Sequence, residues 1–123
     1  MELLTTVGVA SGGAKSAFIR SQDLLDQVGG RRPMVSLVSP GTLEGTETTF
    51  KWYASLTGES GSEFPIYDED GEATTGNVST SRGFEINNER FYRWPYVMFE
   101  LTDGSSPVNQ SAARTFQVVA VDI

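Results

Sequence analysis

The sequence predicts an all-β protein: a single-domain antiparallel β-sandwich, of jelly-roll or immunoglobulin-like type, with an extended N-terminal arm. Apolar and polar residues alternate along several short segments, which is typical of strands that bury one face. Turn-forming residues separate these segments at intervals of about ten residues. The chain also has 13 glycines and 5 prolines in 123 residues, which favours turns over long helices. We assign residues 1–15 to the arm and residues 16–123 to the sandwich.

The clearest strand begins at Phe50. Every second residue is apolar, and the residues between are mostly polar, so one face should lie in the core. Small residues at 57–62 form a turn, and a short strand at 64–67 follows it. The inward positions are predicted to be Phe50, Trp52, Ala54 and Leu56.

Two more strands are strongly predicted, at 96–102 and 114–123. The first should direct Val97, Phe99 and Leu101 inward. The second is apolar on both faces, which indicates a central strand or one buried against a neighbouring subunit. Its two faces carry Phe116, Val118 and Ala120, and Val119, Val121 and Ile123. Weaker patterns predict strands at 16–20, 34–38 and 84–86, one helical turn at 21–27, and a loop or exposed strand at 72–82.

The N-terminal segment allows two interpretations. Residues 1–15 combine apolar residues with small ones and end in Ser11-Gly12-Gly13-Ala14. They could form an arm that adds a strand to another protein. They could equally be a frayed terminus or the first edge strand of the same domain.

Composition argues against several functional classes. The net charge of −7 disfavours nucleic-acid binding. The chain has no cysteine and no histidine, so thiolate metal sites and the commonest general base are missing, and we expect neither an enzyme nor a cofactor. No apolar run approaches the ~20 residues that span a bilayer. The acidic cluster at 68–72 is interpreted as a hairpin turn, with a weak Ca²⁺ site as the alternative, although its spacing does not fit an EF-hand.

Residues 90–96 form the densest cluster of aromatic and arginine residues. Such clusters are enriched in protein interfaces, although they also occur in cores. The predicted interface residues here are Tyr92, Arg93 and Trp94. A second hypothesis is a carbohydrate- or receptor-binding module, in which Tyr92, Trp94 and Tyr53 form an exposed platform.

Two consecutive segments resemble a pattern found in small virion proteins of tailed bacteriophages. They are Trp52-Tyr53-Ala54-Ser55-Leu56-Thr57-Gly58 and Phe64-Pro65-Ile66-Tyr67-Asp68-Glu69-Asp70-Gly71. In those proteins an aromatic-x-Ala-Ser-x-Asp-Gly turn precedes Phe-x-Pro-hydrophobic-x-Asp-x-Asp-Gly. Here Thr57 stands where Asp is more usual, and the loop to Phe64 is slightly longer.

The resemblance implies a decoration (cement) protein or another minor capsid or tail protein. Such a protein is made in the host cytoplasm and binds the outside of the capsid. Its expected partners are the major capsid protein and other copies of itself, as a trimer, with no nucleic acid, membrane or metal. Deletion of residues 1–15 would then leave the domain folded but weaken attachment. The remaining predicted interface residues are Leu3, Leu4, Val7, Val9, Phe18, Val119, Val121 and Ile123.

Overall fold

Two antiparallel sheets pack against each other, which confirms the predicted all-β sandwich. The computed structural model describes residues 2–27, 29, 34–45, 48–67, 75–78, 83–85, 92–103 and 106–121. Its elements are β1 (Glu2–Val9), β2 (Ile19–Arg20), α1 (Ser21–Gln27), β3 (Met34–Val38), β4 (Thr48–Ser55), β5 (Phe64–Pro65), β6 (Thr75–Val78), β7 (Gly83–Glu85), β8 (Tyr96–Thr102) and β9 (Arg114–Val121).

The four-stranded sheet has the order β1-β9-β3-β7, and the five-stranded sheet has the order β2-β8-β4-β5 with β6 also paired to β4. Strand β9 therefore lies between β1 and β3, which confirms the central position predicted from its two apolar faces. The strand order does not by itself assign the sandwich to the jelly-roll or the immunoglobulin-like type.

The core between the sheets is built on aromatic rings. Phe99 lies 4.8 Å from Phe50 within the five-stranded sheet and 4.9 Å from Phe116 in the opposite sheet, measured between ring centroids. Trp52 packs on the same ring at 5.6 Å. All these pairs are tilted or edge-to-face, the arrangement that aromatic rings prefer. The predicted inward positions are fully buried at Phe50, Trp52, Ala54, Val97, Phe99, Leu101, Phe116, Val118 and Ala120.

One inward prediction is wrong, at Leu56. Strand β4 ends at Ser55, and Leu56 is 66% exposed. The hydroxyl of Ser55 accepts hydrogen bonds from the backbone N–H groups of Thr57 and Gly58, at 3.2 and 2.9 Å. This side chain-to-backbone turn bends the chain away before the alternation can continue, because it satisfies amides that a longer strand would have paired.

The N-terminal segment is an edge strand in this structure, which corrects its assignment as a free arm. Strand β1 pairs with β9 from Glu2↔Ala120 to Val9↔Arg114, with a bulge between Leu3 and Thr5. Leu4, Val7 and Val9 are buried in the domain's own core, so in this structure these three predicted interface residues do not lie on the surface. A sandwich with two apolar faces needs this strand to cover one side of its core.

Residues 14–17 connect the two sheets. The amide of Ser16 donates to the carbonyl of Phe99 in β8 at 2.8 Å, and the Ser16 hydroxyl accepts from the Phe99 amide at 3.0 Å. On the other side, the Ala17 amide donates to the Gly8 carbonyl in β1 at 2.9 Å. The predicted strand at 16–20 is therefore divided: only Ile19–Arg20 is a strand, and the residues before it pair with both sheets.

A buried glutamine connects three loops. The Gln110 side-chain oxygen accepts hydrogen bonds from the Glu44 amide at 3.0 Å and from the Arg114 Nε at 3.1 Å. Its backbone exchanges hydrogen bonds with Gly12 and Gly13. The Arg114 guanidinium also pairs with the Glu44 carboxylate at 3.1 Å. Gln110 is 1% exposed, so its polar atoms have little access to water. The hydrogen bonds of this cluster take the place of those that water would have made.

The remaining differences are small. Strand β5 comprises only Phe64–Pro65 rather than 64–67, and residues 75–78 form strand β6, which settles the open alternative for part of 72–82 in favour of a strand. The acidic cluster at 68–72 lies outside the described residues.

Deletion of residues 1–9 is expected to abolish cooperative folding. It removes Leu4, Val7 and Val9, whose burial contributes about 1.5–3 kcal/mol each, and uncovers the core beneath β9. Urea unfolding followed by circular dichroism measures this, with deletion of Glu2 alone (after the initiator) as the control. A truncated chain that still unfolds cooperatively near the wild-type midpoint would restore the free-arm interpretation.

Gln110→Leu should lower the free energy of unfolding by about 2–3 kcal/mol. The substitution fills a similar volume but leaves the Glu44 amide and the Arg114 Nε without their acceptor. Gln110→Glu loses the hydrogen bond from Nε2 to the Val108 carbonyl but keeps an acceptor for both donors, so it should cost less. Equal losses in the two variants, measured by urea unfolding at neutral pH, would show that the hydrogen bonds do not matter.

Candidate functional site

The outer surface of the four-stranded sheet has no charge across three strands. Antiparallel register places outward side chains in two rows, Leu3–Val119–Ser36 and Thr6–Gln117–Val38. Every described outward side chain of β1, β9 and β3 is uncharged. We call this set the uncharged face; its residues are Leu3, Thr6, Ser36, Val38, Thr115, Gln117 and Val119.

The uncharged face contains two of the predicted interface residues. Leu3 is 52% exposed and supplies much of its apolar surface, whereas Val119 is only 7% exposed because its neighbours on both strands cover it. The side chain of Val121 is not described, and Ile123 lies outside the described residues. Sequence reasoning missed Val38 and Gln117, because nothing in β3 or β9 alone shows that they share a row with Thr6.

The outer surface of the five-stranded sheet is charged instead, and its charges are internally matched. Lys15 forms an ion pair with Glu63 at 3.1 Å, and the Tyr53 hydroxyl donates to Glu100 at 3.2 Å. The ammonium groups of Lys15 and Lys51 lie 4.9 and 5.5 Å from the centre of the Tyr53 ring, in cation–π geometry. Tyr53 is therefore buried on the outer side of its sheet, under charged side chains.

Hydrogen bonding lowers the pKa of two glutamates, Glu63 and Glu44. The pKa of Glu63 is lowered by its own backbone amide and by Lys15. Partial burial opposes the charge on Lys15, yet the hydrogen bond and charge of Glu63 outweigh it, so the pKa of Lys15 is raised. Glu44 accepts a short hydrogen bond from the Ser111 hydroxyl, which lowers its pKa, and Arg114 adds to the effect. These carboxylates are ionised partners within the fold.

The second candidate surface is a groove of about 380 Å³ between α1 and the segment before β8. It brings the predicted residues Tyr92, Arg93 and Trp94 together with residues more than 65 positions earlier in the chain. Neither Arg20 nor Gln22 carries a sequence signal for this position. We call this set the aromatic groove; its lining residues are Arg20, Ser21, Gln22, Leu25, Tyr92, Arg93, Trp94, Pro95 and Tyr96.

Residues outside the lining pack against two rings of the aromatic groove, Tyr96 and Trp94. Phe18 packs edge-to-face on Tyr96 at 6.0 Å, so this predicted interface residue supports the groove from outside its lining. Gly58 lies so close to the same ring that a Cβ there would approach its Cε1 to 2.7 Å. Trp94 packs edge-to-face on Phe64 at 5.4 Å. These contacts restrict the movement of the Tyr96 and Trp94 rings.

The predicted platform of three aromatic residues is not formed. Tyr92 and Trp94 lie together in the groove, but Tyr53 does not line it and is buried on the outer side of the five-stranded sheet. Residues Arg90 and Phe91, from the same predicted cluster, lie outside the described part of the chain.

Within the described ranges, no three acidic side chains come close enough to hold a metal ion. The acidic turn at 68–72 is not among them, so the Ca²⁺ alternative stays a prediction. No described helix has the length and apolar character needed to cross a membrane. No protein-family model matches the sequence, and comparisons with curated proteins and with solved structures find no match.

The Lys15–Glu63 pair should give the protein a measurable pH dependence. The folded-state pKa of Glu63 lies below its ordinary value of 4.5, so its stabilisation is present above pH 4.5 and is lost as the pH falls through the lowered value. The pKa of Lys15 is raised, so its stabilisation of the folded state is fully present below its ordinary pKa of 10.5. That stabilisation is lost as the pH rises through the raised value.

We therefore expect Glu63→Gln to cost about 0.5 kcal/mol at neutral pH, since the Lys15 side chain is 43% exposed, and less near pH 3. Urea unfolding at both pH values measures the difference, with Glu59→Gln, an exposed acid in the neighbouring turn, as the control. The same cost at both pH values would show that the ion pair contributes no stability.

Proposed function

We propose that this chain is a structural virion protein of a tailed bacteriophage that binds the outside of the capsid lattice and stabilises it. The uncharged face is the observation that carries the proposal. The resemblance around residues 52–71 indicates which kind of assembly it belongs to. The proposed partners are the major capsid protein and two further copies of this chain, and no catalytic activity is proposed.

The charge distribution supports a protein partner on the uncharged face. The chain carries a net charge of −7, yet the described outward residues of three adjacent strands have none. Burying a charge that has no partner costs several kcal/mol, and interface cores are accordingly depleted in charged residues. The five-stranded sheet differs, because its outward charged groups, among them Lys15, Glu63 and Glu100, would have to be desolvated by any partner that covered them.

The size of the uncharged face favours repeated weak contacts. Strands β1 and β9, of eight residues each, and β3, of five, lie about 4.8 Å apart and together cover roughly 340 Å². A specific interface usually buries about 800 Å² per partner. One copy would therefore bind weakly through this face alone, whereas a trimer on a repeating lattice gains from its effective concentration. The small area of the uncharged face therefore supports the trimer that the resemblance implies.

The engagement of the carboxylates supports a non-catalytic role. The Glu44 and Glu63 carboxylates pair with Arg114 and Lys15, and both have lowered pKa values. A general acid needs a raised pKa, and the sequence contains no histidine or cysteine to replace it. Glu44 and Glu63 therefore form structural ion pairs, which supports a non-catalytic role for these two carboxylates.

Gln117→Glu should weaken binding to capsids that lack this protein by at least about tenfold, because it places an unpaired charge in the middle of the contact. Co-sedimentation of the purified protein with such capsids measures this. Gln22→Glu makes the same chemical change at an exposed position away from the uncharged face and should bind like the wild type.

Thermal unfolding of both variants must match the wild type, so that a loss of binding reports the surface and not the fold. If Gln117→Glu co-sediments as well as Gln22→Glu, the uncharged face does not contact the capsid. If the wild type fails to co-sediment with any capsid of its own phage, the decoration role itself is wrong.

A further inference from the structure

We propose that the aromatic groove is a binding site for a neutral carbohydrate. This goes beyond attachment to the capsid, because the groove shares no residue with the uncharged face. The groove is open to solvent and has a volume of about 380 Å³, which lies within the range of about 300–1,000 Å³ for small-molecule sites. Its lining combines aromatic rings with polar side chains. A sugar can pack its apolar face on the rings while its hydroxyl groups form hydrogen bonds with the polar side chains.

The polar side chains of the groove are already paired, which favours a neutral ligand. The guanidinium of Arg20 donates to the carboxylate of Asp23 at 3.0 Å, and the amide of Gln22 donates to Asp26 at 2.8 Å. Each pair presents donors and acceptors side by side, with its orientation fixed. A hydroxyl group can donate and accept at once, so it suits such pairs. The lining carries two guanidinium groups, Arg20 and Arg93, but an anion at Arg20 would compete with the carboxylate of Asp23 on a chain of net charge −7.

The backbone of the groove argues against an extended peptide. The Ser21 hydroxyl donates to the Trp94 carbonyl at 2.6 Å, and the Ser21 amide donates to the Pro95 carbonyl at 3.0 Å. Peptides that bind as added strands rely on free backbone groups at the site. Since these backbone groups already form hydrogen bonds within the protein, a ligand must be bound by the side chains of the groove, as sugars are.

The aromatic rings supply a rigid apolar surface. Tyr96 is held by Phe18 and by the backbone at Gly58, and Trp94 is held by Phe64. Binding to rings that are already fixed avoids the entropic cost of ordering them. The hydrophobic face of a pyranose ring can therefore pack on Trp94 or Tyr96 while its hydroxyls reach Arg20 and Gln22.

Tryptophan fluorescence provides a direct test. The chain has 2 tryptophans, and Trp52 is 1% exposed, so acrylamide should quench Trp94 selectively. The probes are neutral trisaccharides of glucose, galactose, mannose or N-acetylglucosamine, added at millimolar concentration to the full-length protein. At least one should protect Trp94 from quenching, and isothermal titration then gives its Kd.

Gln22→Ala should weaken that Kd by about tenfold, because one side-chain contact to the sugar is lost. Gln117→Ala is the matched control: it truncates the same residue type on the uncharged face and should bind the sugar like the wild type. Both positions are exposed, so neither variant is expected to unfold the protein.

Three outcomes would overturn the proposal: no protection by any of the trisaccharides, equal weakening by Gln22→Ala and Gln117→Ala, or protection by inorganic sulfate or a proline-rich peptide in their place. None of these results bears on co-sedimentation with capsids, so failure of the sugar site and failure of the decoration role are distinguishable.

Discussion

The contact of Phe99 with Phe116 is the interaction on which the rest of this structure depends. It joins β8 to β9, strands that each pair with two neighbours in their own sheet, and Phe50 and Trp52 pack around it. Because all these rings come from strand positions of one parity, the opposite parity must face outward. The packing of four rings thereby determines which side chains form the uncharged face and which form the charged one.

This dependence explains what could be predicted from the sequence. Alternation is a property of a single strand, and it correctly identifies the buried positions of β4, β8 and β9. It also indicates that β9 lies inside a sheet. It does not distinguish a first strand from a free arm, because Leu4, Val7 and Val9 would look the same in either. The difference depends on whether β9 leaves an edge open, which only the pairing reveals.

The parts that sequence reasoning missed are those that need two distant segments. Gln110 appears in a polar loop, yet it is buried because Glu44 and Arg114 need its side-chain oxygen. Tyr53 has the parity of an exposed residue, but charged side chains from two other segments cover it. The aromatic groove likewise depends on Ser21 bonding to Trp94, across 73 positions of sequence. No periodicity records such contacts.

The positions of the two candidate surfaces follow from how residues 14–17 connect the sheets. The chain leaves β1 and pairs with β8 of the opposite sheet, so α1 begins beside Tyr96, at the start of β8. The aromatic groove therefore forms at the five-stranded sheet, on the edge formed by β2, whereas the uncharged face belongs to β1, β9 and β3. A copy whose four-stranded sheet lies against a lattice would leave every residue of the groove outside that contact. Attachment and ligand binding can therefore occur in one small domain without competing for the same side chains.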